Sequence, residues 1–134
     1  MLPNLPEDLL DRVKQLERRI QRTSTAATTT PLPTWQTLPL AAGVVTNSAT
    51  PQYRVQGSLL IVRGDVKLGS GSSIAEGAVL ATLPAGARPL RLDTHPVATP
   101  NTTASRADVG PTGSVVYHGS SATWVALNFV VALN

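Results

Sequence analysis

The chain has 134 residues, of which 42% are hydrophobic and only 14% charged, with a formal net charge of +3 and no cysteine. That length fits one modest domain with an appendage, and so large an apolar share belongs to a folded body. The absence of cysteine excludes disulfides, thiolate metal sites and cysteine nucleophiles. Basic residues spread thinly from Arg12 to Arg106 leave no dense patch for nucleic acid outside the N-terminal segment.

Residues 1–22 carry nine charged side chains of both signs on a helical pattern. Asn4 with Glu7 three residues later has the form of a capping box, and Pro6 is tolerated in the first turn, where its missing N–H has no partner to lose. Leu9, Val13, Leu16 and Ile20 recur at spacings of four, three and four. This is a heptad seam with Leu at d and β-branched residues at a, and it places Arg12 at g and Glu17 at the following e, the pair that meets across a parallel coiled coil. So narrow a stripe suits self-association or anchoring better than packing on a broad core. Two heptads are marginal alone, so any assembly needs further support. Pro3, Pro6, Glu7 and Asp8 stand where a secretory signal would have a basic start and an apolar core, so no export signal is expected.

Residues 23–39, including "TSTAATTTPLPTWQTLP", are rich in Thr and Pro and read as an extended tether. At about 3.1 Å per residue such a segment could reach roughly 50 Å. The expected organisation is therefore a helix at 1–22, a tether at 23–39 and a β domain at 40–134.

From Leu40 the period changes to two. "SLLIVRGDVKL" sets Leu60, Val62, Val66 and Leu68 on one face and Arg63, Asp65 and Lys67 on the other, as a half-buried strand does. Further strands are expected in "QYRVQ", "GAVLATL", "LRLDTHPVA", "ASRADV" and "SVVYH", with "GPTG" at 110–113 as the turn between the last two. Short strands without intervening helices indicate a mainly β, antiparallel β-sandwich of jelly-roll type. In "TWVALNFVVALN" both faces are apolar, which predicts burial on both sides, either as a central strand or at a subunit interface. Its "VALNFVVAL" run is far below the ~20 residues of a membrane span, so no membrane insertion is expected.

The stretch "IAEGAVLATLPAGARPLRLDTHPVA" resembles a C-terminal β domain of minor tail and receptor-binding proteins of phages that infect actinobacteria, in which a segment like "ATLPAGYRP" precedes "FPVA". "PQYRVQGSLLIVRGDVK" is similar to that family's opening hairpin, and "SRADVGPTGSVVYHGSSATWVALNFV" to its closing hairpin and final strand. The resemblance covers roughly Leu38 to Val131, and the N-terminal helix resembles the short coil that opens many such proteins. It implies a virion component: a homotrimer whose β body faces the bacterial surface, binding cell-surface polysaccharide, and whose N-terminal helix joins other virion proteins. A head fibre or capsid decoration protein anchored through its N-terminus is the alternative. Ala87, His95 and the Gly110-Pro111 pair depart from the family's Tyr, Phe and Asp-Gly. The heptad pattern alone favours two strands, the resemblance three.

Catalysis needs converging acids, bases or nucleophiles. The β body offers Asp65, Glu76, Asp93 and Asp108 with His95 and His118. Asp93 and His95, two apart on a strand, share one face and read as a surface contact, although a three-fold axis could gather three copies of His95 around one ion. No cofactor, no resident metal and no enzymatic activity are expected. Sugar rings stack on aromatic faces. With Trp35 in the tether and Phe129 in the apolar strand, the candidate glycan contacts are Tyr53, Tyr117 and Trp124, each of which also suits a core.

Overall fold

The computed structural model describes residues 11–16, 18 and 33–134. The chain divides into two units, Met1–Leu32 and Pro33–Asn134. In the first, residues 11–16 and 18 are helical and solvent-exposed. Val13 and Leu16, the described members of the heptad seam, are 49% and 55% exposed. Leu9, Glu17 and Ile20 lie outside the described residues.

The second unit is mainly β, and every strand pairing in it is antiparallel. Its strands are β1 (Gln36–Thr37), β2 (Val44–Thr46), β3 (Gln52–Gln56), β4 (Leu59–Arg63), β5 (Asp65–Leu68), β6 (Val79–Thr82), β7 (Asp93–Val97), β8 (Ser105–Val109), β9 (Ser114–His118), β10 (Val125–Ala126) and β11 (Phe129–Ala132). They form sheet I in the order β1-β3-β4-β11, sheet II as β10-β5-β2 and sheet III as β6-β9-β8-β7. One core joins all three, with Leu60, Val62, Val66, Leu80, Val115 and Val131 among its buried residues.

Alternation along "SLLIVRGDVKL" holds, since Leu60, Val62 and Val66 are buried, but the segment is two strands. Gly64 breaks it at φ 112, and a Cβ there would stand 2.5 Å from the Pro51 Cα. Only glycine meets both demands. The chain leaves sheet I as β4 and enters sheet II as β5. The C-terminal segment makes the same passage beside it, with β11 on β4 and β10 on β5.

That geometry corrects the expectation of double burial within the subunit. β11 is an edge strand of sheet I. Val125, Leu127, Phe129 and Val131 are buried, whereas Val130 is 51% exposed and Asn128 and Ala132 face solvent. The β body also begins earlier than Leu40: Gln36 and Thr37 pair with β3, and Leu38 is in the core. Residues 39–41 then cover the edge of β6, through Thr82 N–H to Pro39 O, Ala41 N–H to Leu80 O and a bridge between Leu40 and Ala81. No periodic signal marks β1 or β2, which are two and three residues long.

Two turns follow from their residues. In "PAGA" the Ala87 N–H reaches Pro84 O across Gly86 at φ 93, a turn that requires a positive φ at its third residue. In "GPTG" Gly113 N–H donates to Gly110 O and closes the β8–β9 hairpin.

Candidate functional site

The β8–β9 hairpin and the β7–β8 pairing set Arg106 opposite His118 and Thr94 opposite Asp108. Residues two apart on a strand share a face, so Arg106 and Asp108 project together from the outer side of sheet III. Glu76 joins them from the segment before β6, held by Gly77 N–H to Tyr117 O and by the bridge between Ile74 and Ala122.

These side chains form one connected cluster. His118 Nδ1 is 2.7 Å from Glu76 Oε1, and its Nε2 is 3.2 Å from Asp108 Oδ2. Gly119 N–H donates to Glu76 Oε2, Thr94 Oγ1 donates to Asp108 Oδ1 at 2.9 Å, and Arg106 Nε stands 3.4 Å from the same oxygen. An imidazole donates to both carboxylates only in its protonated form. The His118 hydrogen bond above all, with the Gly119 N–H, holds the Glu76 carboxyl below its ordinary range; slight burial opposes this and the charges of His118 and Arg106 add to it.

The cluster borders an open cleft of about 430 Å³ lined by Glu76, Thr94, Pro96, Ala104, Arg106 and His118, with Ser105 and Gly119 completing the wall. Charged donors and acceptors stand beside the small apolar surfaces of Pro96 and Ala104. Such a wall can hydrogen-bond a hydroxyl-rich ligand while its ring contacts the apolar part. Among the described residues no group of three or more acids and histidines could hold a metal ion.

The aromatic candidates are not brought together. Tyr117 is fully buried, its hydroxyl donating to Ser120 O and lying 3.2 Å from Ser105 Oγ, so it is a core residue and not a ligand platform. Tyr53 is buried too, with its hydroxyl donating to Gln36 Oε1 at 2.8 Å, although its ring lines a second hollow between Pro33, Gln36, Val55 and Pro84–Ala87. Trp124 is half-buried just before β10. The three belong to sheets III, I and the approach to sheet II.

Asp93 and His95 do share a face, with His95 Nε2 3.1 Å from Asp93 Oδ2. That nitrogen nevertheless makes no hydrogen bond. The imidazole stacks instead on Phe129, ring centroids 4.9 Å apart and planes within 10°, which makes it a packing element between β7 and β11. Trp35 was the aromatic that composition assigned to the tether. It stands on the outer face of sheet I, with the Arg63 and Arg54 guanidinium carbons 3.8 and 4.5 Å from its ring centroid.

The Glu76–His118 contact joins residues 42 apart, which no motif could reveal. In the sequence Glu76, Asp108 and His118 stand out only as separate acids and a histidine of the β body, and Arg106 is not a candidate.

A scan against protein-family models finds no match, and no curated protein is similar in sequence. In fold, the β body is similar to a solved structure described as the head domain of the lactococcal phage bIL170, reported among receptor-binding domains of such phages. The TM-score is 0.52 at 17% sequence identity, covering 76% of this chain and 99% of that one. At that identity the likeness shows the architecture, a mainly β head-domain fold.

Proposed function

We propose that this chain is a phage virion protein with a structural and adhesive role, in which a trimeric β body is presented to the bacterial surface and binds envelope glycan. The observation that carries the reading is the head-domain fold bearing, on an outer sheet face, a cleft walled by Glu76, Arg106, His118 and Thr94. Hydroxyl-rich polymers are recognised by such planar, charged hydrogen-bonding groups set beside small apolar surfaces. The exposed Val13 and Leu16 of the helix support attachment of the N-terminal unit to other virion proteins or to its own copies. The placement is at the tail, as a minor tail protein or fibre, and the host class is the one the sequence resemblance suggests, an actinobacterium.

The reading assigns binding and no turnover. A glycosidase acid needs a raised pKa, whereas Glu76 is shifted down and both Glu76 and Asp108 are engaged by one histidine.

The test is retention of the full chain on an array of bacterial envelope polysaccharides, comparing the wild type with Arg106→Ala and Arg106→Glu. The expected result is binding to at least one polymer, weakened tenfold or more by either substitution with the melting temperature unchanged. Binding that survives both substitutions places the receptor site elsewhere, and binding to none removes the glycan reading.

A further inference from the structure

Sheet I has an outer face that breaks the usual rule of polar residues toward water. Register sets Ile61 between Arg54 and Val130, and Leu59 between Gln56 and Ala132. Four apolar side chains therefore lie in two adjacent cross-strand rows, with Leu59 43% exposed and Val130 51% exposed. A strand apolar on both sides wants a partner on both sides. The inner partner is the core, and among the described residues of the β body none covers Leu59 and Val130 on the outer face.

The flank of this face is positive. Arg63 is fixed by two hydrogen bonds to Gln52 Oε1, at 2.7 and 3.1 Å, and both Arg54 and Arg63 stack on Trp35. Among the described residues no carboxylate pairs with either guanidinium, and the shielded Arg54 Nε has no hydrogen-bond partner. Two fixed cations beside an apolar strip call for an acid on whatever covers them.

The same chain carries a surface of that kind. On the outer side of sheet III, Val79 and Val116 are directly opposed on β6 and β9, Val79 is exposed, and the Glu76 side chain beside them is 62% exposed. We infer that the outer face of sheet I in one copy docks on the β6–β9 half of sheet III in the next, with Arg54 and Arg63 against Glu76 and the Ile61–Val130 row against Val79 and Val116. Two different surfaces meet, so the contact is head-to-tail, the type from which a closed three-fold ring is built. The cleft opens along β7 and β8 beside the contact and shares Glu76 with it. This assignment rests on the proposed trimer and adds which faces build it.

The experiment is light scattering on the full chain at micromolar concentration in a Leu16→Asp background, which removes the contribution of the helical seam. The background chain is expected at three chain masses and, with Val130→Asp added, at one. Arg63→Glu and Glu76→Lys are each expected to dissociate the assembly and, combined, to restore three chain masses, with melting curves establishing that every variant is folded. A background chain at one mass overturns the body-held trimer itself. A Val130→Asp chain still at three masses, or a charge swap that fails to restore what each single change breaks, overturns only the faces assigned here.

Discussion

The Gly64 N–H donates to the side-chain Oδ1 of Asn128 at 3.2 Å, joining two residues 64 positions apart at the point where both of their strands change sheets. Leu127 N–H completes the link by donating to Gly64 O at 2.8 Å. Two kinks are thereby held side by side, and β4–β11 turns into β5–β10 without losing register.

Gly64→Ala should therefore be severe. Its φ of 112 disfavours any Cβ, and the Pro51 backbone leaves no room for one. A loss of about 3 kcal/mol or more is expected in urea unfolding, or no soluble protein at all. Asn128→Ala removes only the side-chain bond and should cost about 1 kcal/mol. Equal midpoints for the two variants would show that the kink is held by something else.

Asp65 ties the β2–β3 loop to β5. Burial of its carboxyl favours the neutral form, but this is outweighed by hydrogen bonds from Ala49 N–H, Ser48 N–H and hydroxyl and the Asn47 amide, and the pKa is lowered to about 2. A folded pKa below the unfolded one gives stability that is present above the unfolded value, near 3.8, and lost as pH falls toward 2. Wild-type protein should lose about 1 to 2 kcal/mol over that interval from this group. Asp65→Asn should be less stable at pH 6 and flatter between pH 4 and 2, as read by urea midpoints; parallel profiles would count against the assignment.

Tyr117 was a reasonable glycan candidate by residue type, and its burial predicts a stability effect instead. Tyr117→Phe leaves Ser120 O and Ser105 Oγ short of a partner and should cost about 1 to 2 kcal/mol. Polysaccharide binding should not change beyond what the altered stability explains, which retention measured well below the melting temperature can verify.

The helix should be separable from the β body. Val13→Asp with Leu16→Asp puts charge into the proposed seam, where an unpaired buried charge costs several kcal/mol. Thermal unfolding of the body should be unchanged while incorporation into particles is lost. A melting temperature lower by many degrees, with incorporation retained, would reverse the roles given to the two units.

Much of the fold was legible because period two and turn residues are local signals. "QYRVQ" and "SVVYH" coincide with β3 and β9, and "GPTG" makes its turn. Other features depend on contacts that no window of sequence contains. Gly64 breaks a strand only because Pro51 arrives beside it, and Trp35 leaves a Thr/Pro-rich segment because two arginines wait on β3 and β4. The site was less visible. Glu76, Asp108 and His118 come from three separate segments, and the one pair within reach of inspection, Asp93 and His95, is drawn away by the stacking of His95 on Phe129.

The crossing of β10 and β11 onto β5 and β4 also bears on how the body is made. Its last strands complete sheets I and II by pairing with strands some sixty positions earlier, and Val125, Leu127 and Val131 supply core that nothing upstream replaces. Closure of the sandwich is a late, non-local event, of the kind that puts all-β folding in the millisecond-to-second range. A nascent chain emerging from the ribosome would hold the apolar edges of β4 and β5 open until residues 125–132 arrive, and that interval is when the assembly is most exposed to misassociation.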